Sequence, residues 1–266
     1  MKLKAYDFEF DNRRLSSYGF IVCSFGEKGL ETVSDGSQIT FNTISTLDGS
    51  KHELTSVIYE DCLETTIQIC KTPCNNDIME ISDTEYRQMK KWLSRKRFLK
   101  FKILSQSYID LYFEVMFNIS RIEIDGKLYG LELEVKTNRP FALKDLQIIN
   151  IKNLKQDGKY SINDTSHEEG YIYPHTEITV NQDGNLKIHN AIENRDTYIA
   201  NCVVGEVITM DYPVIRSSIS SHNIQNDFNW NFFRVANTFD NSRNDLTISL
   251  PCSIKIEYSP IVKVGL

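Results

Sequence analysis

The feature that most constrains the fold is a two-residue alternation of apolar and polar side chains, interrupted by Asp-Gly dipeptides. In "GLELEV", Leu131, Leu133 and Val135 alternate with glutamates, and "SIKIEY" near the end of the chain repeats the pattern. Such alternation is typical of antiparallel strands that have one buried face. Asp-Gly is favoured in two-residue hairpin turns, because both central residues of a type I′ turn need positive φ. The glycines of these dipeptides are Gly36, Gly49, Gly126, Gly158 and Gly184.

Two of the Asp-Gly dipeptides have strand-like segments on both sides. "RIEI" and "LYGLELEV" flank Asp125-Gly126, and "EITV" and "LKIH" flank Asp183-Gly184. The sequence therefore predicts a β-hairpin at each of these two places.

One segment, at about 82–97, has a helical pattern instead. Ser82 and Glu85 have the spacing of a capping box, and the acidic first turn and basic residues 95–97 match the helix dipole. Apolar side chains recur at spacings of three, four and seven, so that one face can pack on a sheet. The residues of this apolar face are Tyr86, Met89, Trp92 and Leu93.

The chain is predicted to contain two β-rich domains. A long alternating strand ends near "KTNRPFALKD", and Pro140 cannot donate a hydrogen bond to a strand ladder. We therefore place the first domain at 1–141, with the helix, and the second at 142–266. The second half contains short strand patterns separated by polar loops, which is typical of an antiparallel sandwich.

Composition and motifs argue against several classes of function. The 266 residues carry a formal net charge of -6, which disfavours non-specific nucleic-acid binding by the whole chain. No stretch approaches the roughly 18 apolar residues that a membrane span needs, and we expect no membrane contact. Six cysteines in a chain of this length do not indicate a disulfide framework. Phosphate-loop, zinc-protease and serine-hydrolase motifs are missing, so we expect no enzyme activity, no catalytic residue, no cofactor and no metal.

Two groups of residues are candidates for interaction. Arg87, Lys90 and Lys91 form a basic helix face, which either contacts an acidic partner or is a solvated face whose side-chain stems cover apolar surface. The second group lies in "NDFNWNFFRV", where aromatic rings either belong to the core or are exposed to stack on sugar rings. The candidate sugar-stacking residues are Phe228, Trp230 and Phe232.

The order of these parts resembles the distal tail protein family of long-tailed phages. The opening "YDFEFDNRRLSSYGFIV" is similar to that family's first strand, Ser-x-x-Gly turn and second strand. The segment "ISDTEYRQMKKWLSRKRFLKFKI" resembles the family's single helix, and "LYGLELEVKTNRPFAL" resembles the strand that closes its first domain. "GEVITMD" and the segment "NWNFFRVANTFDNSRNDLTISLPCSIKIEYSPIV" resemble its last strands. The loop "TSHEEGYIYPH" has no counterpart that we can align.

The resemblance implies a structural protein with a mostly β fold. Its first domain would be a β-sandwich-like unit with one helix, which forms a ring of six copies, and its second a galectin-like antiparallel sandwich. The implied partners are further copies of the chain, the tail tube protein, the tape measure protein and the tail-tip hub protein. DNA would pass through the ring without specific binding. The implied location is the tail tip of the virion, after synthesis in the cytoplasm of the host bacterium.

A second hypothesis from a different class remains open at this stage. The second domain would then be a carbohydrate-binding module that contacts host cell-wall polysaccharide through the aromatic residues at 228–232. Fold alone does not distinguish the two functions.

Overall fold

The computed structural model describes residues 5–25, 39–46, 49, 51–59, 61–73, 78–238 and 240–264. The chain divides into two units, Met1–Lys144 with Val262–Leu266, and Asp145–Ile261. The sequence places the boundary at about 141 and does not anticipate that the last residues rejoin the first unit. Val262 lies in the core of that unit.

The first unit is built on one large antiparallel sheet. The strands are β1 (Phe8–Phe10), β2 (Arg13–Arg14), β3 (Phe20–Cys23), β4 (Ile39–Ser45), β5 (His52–Tyr59), β6 (Glu64–Lys71), β7 (Leu99–Ile103), β8 (Leu111–Ile124), β9 (Lys127–Thr137) and β10 (Ala142–Lys144). The short 3-10 helices of this unit are Leu15–Tyr18 and Gln106–Tyr108. In the described chain the main path of the sheet runs in the order β2-β1-β7-β8-β9-β6-β3, with β10 beside β8, and β4 and β5 pair only with each other.

Helix α1 (Asp83–Leu93) packs on this sheet and is shorter than the sequence predicts. Its start is as expected, because Ser82 and Glu85 form a complete capping box. Its end lies at Leu93 rather than at residue 97, because Ser94 takes an extended conformation. Arg95 then turns back, and its Nε donates to the carbonyl of Trp92 over 3.0 Å. Residues 95–97 therefore belong to the connection to β7.

The predicted hairpin at Asp125-Gly126 is confirmed. Asp125 (φ 50) and Gly126 (φ 74) both have positive φ, and they join β8 to β9 as a two-residue turn. The predicted hairpin at Asp183-Gly184 is wrong. The segments before and after it, His175–Val180 and Gly184–Asn190, belong to different sheets. The turn therefore leads from one sheet of the second unit to the other. The Asp183 side chain accepts a hydrogen bond from the backbone N–H of Val204.

The second unit contains two main antiparallel sheets around one core. The strands are β11 (Gln147–Leu154), β12 (Gly158–Asn163), β13 (Gly170–Ile172), β14 (His175–Val180), β15 (Gly184–Asn190), β16 (Arg195–Cys202), β17 (Val207–Asp211), β18 (Val214–Ser217), β19 (Val235–Asn237), β20 (Arg243–Ile248) and β21 (Cys252–Tyr258), with β22 (Ile261–Val262) following them in the chain. The orders of the two sheets are β11-β21-β14-β17-β18 and β12-β20-β15-β16, while β13 pairs with β19. A short helix, α2 (Ile224–Asp227), interrupts a region for which the sequence predicts only strands and loops.

The alternation in these strands explains the core of the second unit. Ile254 and Ile256 from one sheet and Ile188 and Ile248 from the other are buried in the same cluster. The intervening polar residues face outward, as the period of two requires. The predicted fold class, mostly β with two domains, is confirmed, and the likeness of the second domain to galectins stays a prediction.

Buried asparagines fix β19 to the edge of this core. Asn244 is fully buried, and its side-chain oxygen accepts the Ala236 N–H over 2.8 Å while its nitrogen donates to the Ala236 carbonyl over 2.8 Å. Asn190 donates a further hydrogen bond of 2.8 Å to the Asn244 oxygen. This short strand, which pairs with β13 on one side, is thus also tied to β20 by the side chain of Asn244.

Candidate interaction surfaces

The hairpin of β4 and β5 carries an apolar surface that the described residues leave uncovered. We call this hairpin the arm. Its large apolar side chains are 41% to 64% exposed, and none of them belongs to the core of the first unit. An isolated two-stranded hairpin is marginally stable in water, because it has no layer on which to bury a face. The exposed apolar residues are Ile39, Phe41, Ile44, Leu54, Val57 and Ile58.

The register of the arm concentrates apolar side chains on one face. Ile39 and Phe41 point to the same side of β4, and Phe41 lies opposite Val57. A β-bulge follows, with Asn42 opposite Ser56 but Thr43 opposite Leu54, and this shift places Leu54 on the same face. The apolar face of the arm therefore consists of Ile39, Phe41, Leu54 and Val57. Ile44 lies on the opposite face, across from Glu53.

The base of the arm is attached to the first unit. Tyr59, the last residue of β5, makes an edge-to-face ring contact with Phe141 at 6.5 Å between centroids. An exposed face of this kind on an attached hairpin is suited to covering a surface on another chain.

The basic helix face is exposed, as its position opposite the apolar stripe predicts. Arg87, Lys90 and Lys91 are all exposed on α1. Lys90 lies 5.9 Å and Arg121 lies 4.3 Å from the centre of the Tyr86 ring. The hydrogen bond with Arg121, together with the charge of Lys90, holds the pKa of the Tyr86 phenol below its usual value. The structure thus extends the positive surface from the helix to β8.

The opposite face of α1 is fixed in the core. The indole of Trp92 stacks on Tyr18 with 4.6 Å between centroids and lies parallel to Phe8 at 6.0 Å. Its Nε1–H donates to the carbonyl of Phe10 over 3.2 Å. Buried aromatic packing with a satisfied polar group holds a helix rigidly. The exposed cations of α1 therefore project from a firm base.

The structure separates the three predicted sugar-stacking residues. Phe228 and Phe232 are 4% exposed and belong to the core of the second unit, so they cannot present their faces to a sugar. Their alternation with polar neighbours marks buried positions and not a binding face. Trp230 is 55% exposed and packs against Phe232 at 6.4 Å between ring centres.

Three tyrosines are connected to Trp230 by ring contacts, of which Tyr171 and Tyr212 are exposed and Tyr173 is partly buried. Tyr171 contacts Tyr173 at 5.4 Å, and Tyr173 stacks on Tyr212 at 4.1 Å with an interplanar angle of 7°. Tyr212 meets Phe232 edge-on at 5.4 Å, which links it to Trp230 through the buried ring. We call Tyr171, Tyr173, Tyr212 and Trp230 the aromatic row.

An ion pair supports one end of the aromatic row. The guanidinium of Arg234 lies 3.8 Å from the centre of the Tyr171 ring. Its Nε donates to both carboxylate oxygens of Glu193, at 2.8 and 3.0 Å. The hydrogen bonds with Glu193 raise the pKa of Arg234 further above its usual range. One face of Tyr171 is thus occupied by a fixed cation, and the ring remains half exposed.

A buried carboxylate lies elsewhere in the second unit. Burial alone would raise the pKa of Glu206, but hydrogen bonds from Ser217, His222 and the Val203 N–H outweigh it and lower the pKa. The second ring nitrogen of His222 lies 3.3 Å from the carboxylate of Asp227. These groups tie together three loops, and their burial leaves no access for a substrate. We interpret the cluster as structural.

In the part of the chain that the structure describes, we find no cluster of metal-ligating side chains and no membrane-spanning helix. The described acidic, histidine and cysteine side chains form no cluster of three that could hold a metal ion. Among the described helices, none has the length and apolar character that crossing a membrane requires.

Two of these surfaces were not predicted from the sequence. The alternation in "ITFNTIS" and "HELTSVIY" indicates strands, but it does not reveal that they lack a covering layer. Tyr171 and Tyr173 lie in the loop "TSHEEGYIYPH", which could not be aligned with the family from the sequence, and Tyr212 is distant from both along the chain. Only the fold brings the aromatic row together.

Comparison with known proteins places the chain among phage tail proteins. A family model described as a phage tail protein N-terminal domain matches residues 3–139, and one described as a phage tail C-terminal domain matches residues 141–258. The structure is similar to the crystal structure of the Dit protein (gp 19.1) of SPP1, described as a paradigm of the hub adsorption apparatus in phages that infect Gram-positive bacteria. The TM-score is 0.62 at 10% sequence identity, over 96% of this chain and 99% of that chain. No curated protein matches the sequence.

Proposed function

Because the chain belongs to a family of phage tail proteins, we propose that it is a structural distal tail protein that closes into a ring of six copies. The ring joins the tail tube to the tail tip and leaves a channel for DNA. The similarity to the SPP1 Dit protein over nearly the whole length of both chains supports this assignment. In this proposal the protein has no enzymatic role, and it is located at the tail tip after synthesis in the host cytoplasm.

The exposed apolar face of the arm is the observation that most supports the proposed ring. Four large side chains on one face are exposed in the single chain, namely Ile39, Phe41, Leu54 and Val57. Fully burying such a side chain contributes about 1.5–3 kcal/mol. Since each is about half exposed, we assign about 1 kcal/mol to each on assembly.

A second copy of this chain is the partner that the arm fits best in this proposal. A surface that binds a different site on an identical subunit makes a head-to-tail contact, and such contacts generate a ring when the rotation closes. Every arm is then covered once, on the face that carries Ile39, Phe41, Leu54 and Val57.

The charge of the chain is compatible with a DNA conduit. A formal net charge of -6 disfavours non-specific adhesion of DNA to the protein. The basic residues Arg87, Lys90 and Lys91 are assigned to contacts with a neighbouring subunit or with another tail protein. The tube, tape measure and tip hub proteins are the proposed neighbours.

The mass of the assembly tests this function. We expect native mass spectrometry of the full chain to show a species of six copies, alone or after addition of its tail tube and tip proteins. A chain that remains monomeric with all of these partners present would refute the ring. The matched control is the same mixture at high ionic strength, which weakens charged contacts but leaves apolar contacts such as those of the arm.

A further inference from the structure

We propose that the aromatic row of the second unit is a saccharide-binding site. The row consists of Tyr171, Tyr173, Tyr212 and Trp230, and it would hold an oligosaccharide by stacking sugar rings on its exposed faces. This inference stands on the second unit alone and does not depend on ring formation by the first.

The exposure of Trp230 is maintained against a conformational cost. Its φ is 58, in the left-handed region that bulky side chains rarely adopt. The side chain of Asn229 holds the turn, because its oxygen accepts the N–H groups of Tyr198 and Asn231. Its nitrogen donates to the carbonyl of Asp196 over 3.0 Å. The hydrogen bonds of Asn229 therefore fix the turn in which the indole is exposed.

The rings of the row are held by contacts with one another and with Phe232. Tyr173 and Tyr212 are parallel at 4.1 Å, so each supports the other. Tyr212 is nevertheless 57% exposed, and it rests edge-on against the buried ring of Phe232. Trp230 contacts the same Phe232 ring. Rigid aromatic side chains give large contact areas with little loss of conformational entropy.

Polar side chains lie beside the rings of the row. Arg234 and Glu193 form an ion pair against Tyr171 at one end of the row, with their side chains 18% and 15% exposed. At Tyr212, the preceding residue Asp211 contacts Nδ1 of His175 at 2.5 Å, and both side chains remain partly exposed. A binding site that combines apolar faces with a few placed polar groups provides both affinity and orientation.

The ring arrangement favours a saccharide over a proline-rich peptide. Peptides in polyproline conformation dock in grooves lined by aromatic residues, with prolines held between rings. The contact between Tyr173 and Tyr212 closes the space between those two rings. A sugar ring needs only one open aromatic face, since its C–H groups carry partial positive charge and the face of the ring is negative.

Saccharide binding to the full-length chain tests the proposal. We would screen a glycan array that contains oligomers of N-acetylglucosamine, galactose and glucose, and titrate the positive members by tryptophan fluorescence. Trp92 is buried in the first unit, so a change on binding should arise from Trp230. We expect saturable binding, and we expect Trp230→Ala and Tyr212→Ala each to weaken it by roughly tenfold or more.

The controls separate this site from general stickiness and from misfolding. Tyr6→Ala removes an aromatic residue that is 83% exposed outside the row, and it should leave binding unchanged. Trp230→Phe keeps an aromatic face and should retain part of the affinity, which a folding defect would not allow. The proposal is overturned if no saccharide binds, if binding survives both alanine variants, or if the row binds proline-rich peptides and no saccharide.

Discussion

Replacing Phe41 by serine should impair assembly while leaving the subunit folded. Phe41 is 64% exposed, so about two thirds of the 1.5–3 kcal/mol for burying a phenylalanine is still available in the single chain. Covering it in the ring then contributes about 1–2 kcal/mol per interface. Its loss should raise the dissociation constant of each interface by roughly 5- to 30-fold. The melting temperature of the isolated subunit should change little, because exposed positions contribute little to stability.

Ile44 provides the matched control for this experiment. It is 62% exposed on the same arm but lies on the opposite face, so Ile44→Ser should weaken assembly much less. Sedimentation velocity over a range of protein concentrations measures assembly, and differential scanning calorimetry measures the stability of the subunit. Unchanged assembly in the Phe41 variant would refute the role of the arm. Equal effects of both variants would refute the assignment of its apolar face.

Further predictions concern the helix, the second core and acid stability. The double substitution Lys90→Glu and Lys91→Glu should preserve the circular dichroism spectrum but weaken assembly with copies or tail partners, and unchanged assembly would identify a purely solvated face. Asn244→Ala should lower the free energy of unfolding of the second unit by about 2–4 kcal/mol, measured in urea, because it leaves buried backbone groups unpaired. A loss below about 1 kcal/mol would contradict the role of Asn244 in holding β19. Folding lowers the pKa of Glu206, so the ionised carboxylate stabilises the folded state. This stabilisation should be complete when the pH is above the ordinary pKa of 4.5, and it should be lost as the pH falls through the pKa of the folded state. The free energy of unfolding of the Glu206→Gln variant should depend less steeply on pH in that range, and an equal slope would contradict the assignment.

Local sequence signals predicted local structure well. The capping box at Ser82, the buried face around Trp92 and the turn at Asp125-Gly126 depend on side chains close together along the chain. The basic residues 95–97 predict a helix that extends to about residue 97. The helix ends at Leu93 instead, because Ser94 has an extended backbone conformation. Such signals describe where elements begin and turn more reliably than where they stop.

Contacts between distant parts of the chain could not be predicted from the sequence. Asp183-Gly184 has good hairpin chemistry, but the partners of β14 and β15 are set by the whole unit, and these strands joined different sheets. Phe228 and Phe232 alternate in the same way as exposed stacking residues would, and only packing shows that they are buried. The aromatic row likewise combines segments separated by up to about 60 residues.

The most direct test of the ring is a photo-crosslink from the apolar face of the arm. A photoreactive phenylalanine derivative at Phe41, activated in assembled particles, should join copies of this chain in a ladder that ends at six. The same derivative at Ile44 should give much less product. Crosslinks only within one chain, or only to other tail proteins, would contradict the account.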